Sequence, residues 1–437
     1  MGQRYTIRNM RRPALLLILA VSAFAKRGLT PEDYFAFENI SDPHLSPDGR
    51  QVAYVYSTVD RARNRRVTSI WTIGTDGQSA PRRLTVEGFN ANSPRWSPDG
   101  SKLAFLSSRG TEEGAKPQIF VLPMAGGEAM QLTHNRNGAS AIQWSPDGTR
   151  FAALSQTGPS DTTPRTSDVR HYSHLGYKFN DTGWFDDKRS HIFVVDARTG
   201  EAKQITQGDD WNDLDPQWSP DSTRIAFVSD RTGKEFDGGH NKDVWVIAAT
   251  GGAPTKISDH AFDDTQPRWS PDGTQIAYTG ETRRRELPKI YMAPAGGGQS
   301  KLAADGLDLI PTALGWVGNE LRFETGVKGQ NHVFRVDPGT RRVLPVTSGE
   351  RAVRAAEVRS GKMVYLANDF RHLDDLYVAN PDGSSERQLT HLNTKLWADL
   401  DLASVERVPY KSTDGWQVDG FLVKPLGGSR ARNIPWF

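Results

Sequence analysis

The feature that most constrains this chain is a repeated corner. The tripeptide Ser-Pro-Asp occurs five times, with spacings of 51, 48, 74 and 51 residues, and four copies follow a tryptophan. The copies begin at Ser46, Ser97, Ser145, Ser219 and Ser270, and the tryptophans are Trp96, Trp144, Trp218 and Trp269. Repetition at about 50 residues indicates one supersecondary unit used several times.

The chemistry of the corner predicts a tight turn between antiparallel strands. Proline fixes φ at the second turn position, aspartate accepts hydrogen bonds from nearby backbone N–H groups, and glycine adopts positive φ. Each copy leads into two short runs rich in β-branched and aromatic residues, such as IAFVS and DVWVI, then a small turn and a closing strand. Each unit is therefore predicted to be a four-stranded sheet, which its tryptophan anchors to a neighbour.

Two degenerate copies follow the fifth corner. Trp316 lies 47 residues after Trp269 and begins the sixth unit, and Glu357–Ala367 begins the strands of the seventh. Seven four-stranded units predict an all-β fold, a seven-bladed β-propeller. The alternatives are a β-sandwich, which does not repeat its sequence, and a β-helix, whose turns are far shorter.

The N-terminus has the pattern of a secretory signal. Four arginines precede the apolar run Ala14–Val21, and Ala23-Phe24-Ala25 supplies small residues for cleavage. An uncleaved anchor or a buried helix is the alternative. We expect residues 1–25 to be a signal peptide and the chain to be exported, periplasmic or secreted, with no membrane segment after cleavage.

Residues 26–41 are predicted to form a short N-terminal helix and a linker. Thr30 is a suitable cap, Pro31 suits the first helical position, and Glu32 and Asp33 supply acids to the first turn. We expect the aromatic residues Tyr34, Phe35 and Phe37 to pack this helix against the body.

Composition excludes several functional classes. The formal net charge of +2 gives no electrostatic signature for nucleic acid, and the absence of cysteine excludes disulfides, thiolate metal sites and a cysteine nucleophile. No His-Glu-x-x-His motif, P-loop or dinucleotide fingerprint occurs, so we expect no cofactor and no metal centre.

Two features are candidates for binding. The 74-residue spacing indicates an insertion in the third unit, at about Thr157–Lys188. It is rich in aromatic residues and histidines, namely His171, Tyr172, His174, Tyr177, Phe179, Trp184 and Phe185. Such a loop either meets a ligand or partner domain or packs on its own blade.

Acidic residues precede the first strands of two adjacent units, and we expect them at one end of the central channel. They are Asp209, Asp210, Asp213, Asp215, Asp259, Asp263 and Asp264. Converging carboxylates would hold Ca²⁺ or attract a peptide amino group, and the alternative is a set of solvated loops.

Several segments resemble the prolyl oligopeptidase family of serine peptidases, in particular its acylaminoacyl-peptidase and dipeptidyl-peptidase branch. They are Leu29–Asp33, Ile40–Pro43 running into SPDG, the WSPDG corners, the insertion, and Val405–Pro425 (VERVPYKSTDGWQVDGFLVKP). In that family a seven-bladed propeller covers an α/β-hydrolase domain. The last segment resembles the strand pair that opens the hydrolase domain.

The resemblance implies four regions: a signal peptide (1–25), the N-terminal helix and linker (26–41), the propeller (42–392) and a truncated start of the hydrolase domain (393–437). No Gly-x-Ser-x-Gly occurs, so no catalytic residue is assigned in this chain. The expected function is the substrate-gating part of a peptidase for short peptides, inactive until the missing hydrolase domain is supplied covalently or by a separate chain. The alternatives are a non-enzymatic periplasmic Tol-type propeller that binds proteins, and a pseudogene product.

Overall fold

The computed structural model describes residues 26–109, 115–163, 167–169, 172, 174–180, 183–184, 187–239 and 241–426. The predicted signal peptide, His171, Phe185 and residues 427–437 of the predicted hydrolase start lie outside this range, as does the side chain of Phe179. Within the described part of the chain, no helix is both long and apolar enough to cross a bilayer.

The fold is built almost entirely from short β-strands. They are β1 (Asn39–Leu45), β2 (Gln51–Asp60), β3 (Arg65–Gly74), β4 (Arg82–Arg83), β5 (Ala91–Trp96), β6 (Lys102–Ser107), β7 (Gln118–Pro123), β8 (Met130–Gln131), β9 (Ser140–Trp144), β10 (Arg150–Thr157), β11 (Lys178–Phe179), β12 (Gly183–Trp184), β13 (Arg189–Asp196), β14 (Ala202–Gln204), β15 (Asp213–Trp218), β16 (Arg224–Ser229), β17 (Asp243–Ala248), β18 (Thr255–Lys256), β19 (Asp264–Trp269), β20 (Gln275–Gly280), β21 (Lys289–Pro294), β22 (Lys301–Leu302), β23 (Thr312–Val317), β24 (Glu320–Val327), β25 (Gln330–Val336), β26 (Val343–Pro345), β27 (Ala352–Arg359), β28 (Lys362–Asn368), β29 (Asp375–Ala379), β30 (Arg387–Gln388), β31 (Ser404–Lys411) and β32 (Gln417–Lys424). Within the described ranges, helical structure is limited to α1 (Thr394–Asp399) and the 3₁₀ turns Pro31–Phe35, Pro159–Asp161 and Glu235–Asp237.

The strands follow the units of the sequence. Unit 1 is β1–β4, unit 2 is β5–β8, unit 3 is β9, β10, β13 and β14, unit 4 is β15–β18, unit 5 is β19–β22, unit 6 is β23–β26 and unit 7 is β27–β30. Units 1 to 5 are separate four-stranded sheets in chain order, whereas one parallel bridge, Asn331 to Ala352, joins units 6 and 7 into an eight-stranded sheet. This is the arrangement of a β-propeller.

The corners form as their chemistry predicts. In the first, the hydroxyl of Ser46 donates to the Asp48 carboxylate (2.6 Å) and accepts from the N–H of Gln51 (2.9 Å). Gly49 has a φ of 69°, and its N–H donates to the Ser46 carbonyl. Each such turn reverses the chain between the first and second strands of a unit.

The first strands contact one another in a closed ring, from β1 through β5, β9, β15, β19 and β23 to β27 and back to β1. Each contains a β-bulge at a residue with positive φ. These residues are Asp42, Ser93, Ala141, Asp215, Gln266, Ala313 and Ala355. The hydrophobic cores lie between sheets, and one combines residues of units 1 and 7.

The predicted N-terminal helix is a 3₁₀ turn, and one of its three aromatic residues does not pack as expected. Asp33 accepts hydrogen bonds from the N–H and hydroxyl of Thr30 and pairs with Arg27 (2.6 Å), which lowers the pKa of Asp33. Tyr34 is 62% exposed, so the prediction was wrong for it, because a turn this short directs only part of its surface inward. Phe35 is partly exposed, but its ring lies 5.1 Å from the guanidinium of Arg61 in the β2–β3 connection. Phe37 is half-buried and contacts Trp397.

The two faces of the propeller differ. The corners between first and second strands lie on one face. The connections between second and third strands, and the segments leading into each first strand, lie on the other, which we call the loop face. The hairpin β31–β32 also lies there, because the ring of Phe421 meets that of Phe370 in the β28–β29 connection at 5.2 Å. The acidic segments and the insertion therefore share a face with the C-terminal hairpin.

Candidate functional site

The seven predicted acidic residues occupy different environments at the loop face. Asp209, Asp210 and Asp259 are exposed, whereas Asp263 and Asp215 are half-buried. Asp213 and Asp264, which begin β15 and β19, are completely buried. Among the described residues, no three histidine or acidic side chains are grouped as metal ligands.

Asp213 is held by a histidine of unit 3 and an arginine of unit 4. One carboxylate oxygen lies 3.0 Å from Nδ1 of His191, on unit 3, and the other lies 3.0 Å from a guanidinium nitrogen of Arg231. The remaining ring nitrogen of His191 contacts the Gly208 carbonyl at 3.0 Å. Asp213 therefore connects units 3 and 4 rather than presenting a free carboxylate to a ligand.

Asp264 lies near Asp243, an acid that was not predicted from the sequence. The Asp264 carboxylate contacts Nδ1 of His260 at 2.8 Å, and this hydrogen bond raises the pKa of His260. Asp243, at the start of β17, pairs with Lys256 at 2.8 Å. Burial, with smaller contributions from Asp264 and Asp230, raises the pKa of Asp243 to about 6 despite Lys256. This cluster holds the seam between units 4 and 5, where the Asp264 N–H donates to the Lys242 carbonyl (2.6 Å).

Asp215 belongs to a polar belt on the inner strands. Its carboxylate accepts from Arg268 (3.0 Å) on the next unit and from Gln217 (2.8 Å). Equivalent positions on other first strands carry a similar network, formed by Asp42, His44, Arg95, Gln143 and Glu357. Only Asp215 of this belt was singled out from the sequence. A polar residue directly before the tryptophan of a unit, as at Arg95 and Gln143, is the signal that would have found some of the others.

The insertion docks on the neighbouring unit rather than only on its own. Nδ1 of His174 lies 3.1 Å from a carboxylate oxygen of Asp237, and the Leu175 N–H donates to the other oxygen at 2.8 Å. The Gly176 N–H donates to the Phe236 carbonyl (2.7 Å). Asp210, one of the predicted acids, lies 3.8 Å from Nε2 of His174. The insertion and the acidic segment before β15 therefore form one continuous surface.

Three of the predicted aromatic residues cluster on this surface. The ring of Tyr172 lies 5.5 Å from that of Tyr177 and 5.9 Å from that of Trp184, and the Lys178 ammonium lies 5.0 Å from the Trp184 ring. Tyr177 and Trp184 are about half exposed. The surface thus combines aromatic rings with carboxylates, a composition suited to binding apolar and cationic groups.

Comparisons with known proteins place this geometry in context. Residues 34–183 match a family model described as the TolB beta propeller domain. Dipeptidyl-peptidase 5 of Porphyromonas gingivalis is 26% identical over 434 residues, which cover 93% of this chain and 62% of that protein. The uncharacterized peptidase YuxL of Bacillus subtilis is also 26% identical, with 92% of this chain and 64% of that protein covered.

Solved structures show the same fold. Acylaminoacyl peptidase of Pyrococcus horikoshii superposes with a TM-score of 0.74 at 21% identity, covering 91% of this chain and 59% of that one. The β-propeller domain of the Trilobed protease of Pyrococcus furiosus has a TM-score of 0.59 at 19% identity, covering 82% of this chain and 99% of that domain.

The resemblance to the prolyl oligopeptidase family is confirmed by the similarity in sequence to dipeptidyl-peptidase 5 and in fold to acylaminoacyl peptidase. The chain spans 62% and 64% of the lengths of the two curated relatives.

Proposed function

We propose that this chain is the substrate-gating propeller of an exported serine peptidase that hydrolyses short peptides. The observation that carries the proposal is the match to dipeptidyl-peptidase 5 along 93% of the chain. In the whole enzyme a serine would attack the peptide carbonyl, with histidine as base, aspartate orienting the histidine, and an oxyanion hole. We assign none of these groups to the present residues, which contain no Gly-x-Ser-x-Gly.

The gate is a seven-bladed ring, with units 6 and 7 as separate blades. Two observations support this count. Each of the seven first strands has its own bulge, and β1 contacts β27, so that unit 7 returns to unit 1. A closed ring whose inner strands carry polar side chains would admit short peptides through its channel and exclude folded proteins by size.

The hairpin β31–β32 supports a catalytic domain on the loop face. One side of the hairpin packs toward the propeller through Phe421, whereas the other exposes Val408, Tyr410 and Leu422 by 40%, 52% and 47%. A two-stranded hairpin is marginally stable alone and gains most from further strands or a covering layer. We propose that it begins the sheet of an α/β-hydrolase domain, whose active site then faces the acidic and aromatic surface.

That surface suits one end of a peptide. Exposed Asp209 and Asp210 would attract an amino terminus, and the rings of Tyr177 and Trp184 would contact an apolar side chain. Export is supported by the arginine-rich start and the apolar run Ala14–Val21. Mass spectrometry of the mature protein is expected to find an N-terminus near Lys26.

A serine-directed fluorophosphonate tests where the nucleophile lies. The purified chain is expected to remain unlabelled and to hydrolyse no short peptide, whereas dipeptidyl-peptidase 5 serves as the labelled control. Sequencing the gene beyond the codon for Phe437 is expected to reveal Gly-x-Ser-x-Gly and a following aspartate and histidine in one of the frames. Labelling of this polypeptide, or a continuation without that motif in any frame, would contradict the proposal.

A second candidate is a periplasmic propeller that binds proteins without catalysis, which the family-model match at residues 34–183 favours. Affinity capture from an envelope extract separates the two. Stoichiometric recovery of an envelope protein, together with absence of peptide binding, would favour this alternative.

A further inference from the structure

A tryptophan fills each of five seams between neighbouring units. The third residue after the bulge is tryptophan in units 2 to 6, and its indole N–H donates to a carbonyl of the preceding unit. The pairs are Trp96 with His44, Trp144 with Arg95, Trp218 with Gln143, Trp269 with Gln217 and Trp316 with Arg268, at 3.0 to 3.3 Å. Each seam therefore contains a site shaped for an indole with a carbonyl acceptor at its edge.

The other two seams lack this tryptophan, and they differ from each other. Between units 7 and 1 the equivalent residue is Leu45, which is completely buried. Between units 6 and 7 it is Val358, which is only half-buried. A cavity of about 180 Å³ lies here and is lined by Gly315, Trp316 and Val358, among others. We call it the seam cavity.

The seam cavity has the size and the acceptor of an indole site. An engineered protein cavity of about 150 Å³ is large enough to bind benzene, so 180 Å³ accommodates a somewhat larger ring. By position, the carbonyl that accepts the indole N–H in the other seams corresponds here to that of Gly315. Gly315 also has no side chain where other first strands carry His44, Arg95 or Arg268, which leaves additional room beside the cavity.

The charge of the lining favours a cation. Glu324 lines the cavity and is 94% buried, with a hydrogen bond from the Ala356 N–H at 2.8 Å. The equivalent residue is apolar in five other units and threonine in the sixth, namely Val55, Leu106, Leu154, Val228, Leu366 and Thr279.

No cation of the cavity lining pairs with Glu324; Arg354, outside the lining, is near enough to act on Glu324 electrostatically but forms its ion pair with Asp374. Glu357 adds a second carboxylate, which pairs with His44. Arg322, the basic residue among the lining groups, donates to the Pro381 carbonyl and pairs with Glu320. A buried carboxylate beside an empty aromatic-sized space is stabilised when a cation enters that space.

We propose that the seam cavity binds an arylalkylamine, a molecule with an aromatic ring and an ammonium group on a short chain. The ring would take the position of the absent tryptophan, and the ammonium group would lie near Glu324. A free arylalkylamine and the N-terminal aromatic residue of a peptide share this chemistry. The inference does not depend on the proposed peptidase function, because the full chain can be tested as it stands.

Calorimetric titration of the full chain with three probes tests the charge preference. Tryptamine is expected to bind more tightly than indole, and indole more tightly than indole-3-acetate, by about tenfold at each step. Equal affinity for tryptamine and indole-3-acetate, or no binding of any probe, would overturn the proposal. Titration with Trp-Gly and Gly-Gly then distinguishes the source: tighter binding of Trp-Gly than of tryptamine identifies a peptide site, and weaker binding identifies a free amine site.

Two substitutions locate the site. Val358→Trp restores the tryptophan of the other seams and is expected to abolish tryptamine binding. If that variant fails to fold, Val358→Leu places the residue type of Leu45 there and is expected to weaken binding at least tenfold. Glu324→Gln is expected to reduce tryptamine affinity about tenfold and leave indole affinity unchanged. Unchanged tryptamine binding in a folded Val358 variant would overturn the proposal, whatever Glu324→Gln does.

Discussion

Nδ1 of His44 lies 3.1 Å from a carboxylate oxygen of Glu357, although 313 residues separate them in the chain. The other ring nitrogen of His44 lies 2.9 Å from Asp42. Because both nitrogens face carboxylates, the imidazolium form satisfies both contacts and the neutral form does not. This contact joins unit 1 to unit 7. The first and last units are therefore connected by an ion pair between His44 and Glu357 as well as by apolar packing.

Substitution Glu357→Gln is expected to weaken ring closure in a pH-dependent way. Burial and Arg95 lower the pKa of His44, but the hydrogen bonds to Asp42 and Glu357 outweigh them and raise it. A raised histidine pKa stabilises the fold fully below about pH 6.5, and the contribution is lost as pH rises through the folded-state value. Urea unfolding should show a loss of about 1–2 kcal/mol at pH 6 and less at pH 9.

The control is Glu350→Gln, an exposed residue of the connection that leads into unit 7. It is expected to leave the free energy of unfolding unchanged at both pH values. An equal loss for Glu357→Gln at pH 6 and pH 9 would show that the charge on His44 is not responsible.

Substitution Trp144→Phe removes the hydrogen bond between units while keeping a six-membered aromatic ring in the seam. The indole N–H of Trp144 donates to the Arg95 carbonyl at 3.0 Å, and the side chain is 8% exposed. Phenylalanine keeps most of the ring and should cost about 1 kcal/mol, whereas Trp144→Ala should cost about 3–5 kcal/mol. Trp416, which is 71% exposed, is the control, and Trp416→Phe should change the free energy of unfolding by less than about 0.5 kcal/mol. A cost for Trp144→Phe equal to that of Trp144→Ala would mean that the five-membered ring with its N–H carries the whole effect.

The sequence predicts this fold well where the determining chemistry is local. A Ser-Pro-Asp corner is specified by three adjacent residues, and the strands beside it by short apolar runs. The first-strand bulge could not be predicted, because residues as different as Asp42, Ser93 and Ala313 adopt positive φ there under the constraint of strand pairing. Tertiary structure, not residue type, determines that conformation.

The candidate site was harder to predict, because the role of an acid depends on what packs against it. Asp209 and Asp213 belong to one acidic segment, yet one is exposed and the other is buried between His191 and Arg231. Asp243 lies in an apolar run and gave no signal, although burial shifts its pKa strongly. The raised pKa of Asp243 results from the packing of unit 5 against unit 4, which the sequence of the apolar run does not show.

Substitution Asp243→Asn is expected to change how stability depends on pH. Burial raises the pKa of Asp243 to about 6, so the folded state favours the protonated acid. This contribution is full below about pH 4 and is lost as pH rises from about 4 to 6. The stability of the variant relative to the native chain should therefore increase by about 1–3 kcal/mol between pH 4 and pH 7.5, as measured by urea unfolding. Asp259→Asn, at an exposed position nearby, should show no such trend, and a parallel pH profile for Asp243→Asn and the native chain would refute the assignment.

Substitution Asp237→Ala is expected to release the insertion from unit 4 without opening the ring. Asp237 accepts from the Leu175 N–H and contacts His174, so its removal takes away two contacts that hold the insertion, while the Gly176 N–H still donates to the Phe236 carbonyl. Local opening should then be more frequent, and trypsin should cleave after the exposed Lys178 about three to ten times faster. Asp209→Ala, at an exposed position on the same face, should cleave at the native rate. Urea midpoints should agree among all three proteins, because the docking contact lies outside the cores between sheets. Faster cleavage throughout the propeller would mean instead that Asp237 stabilises the whole fold.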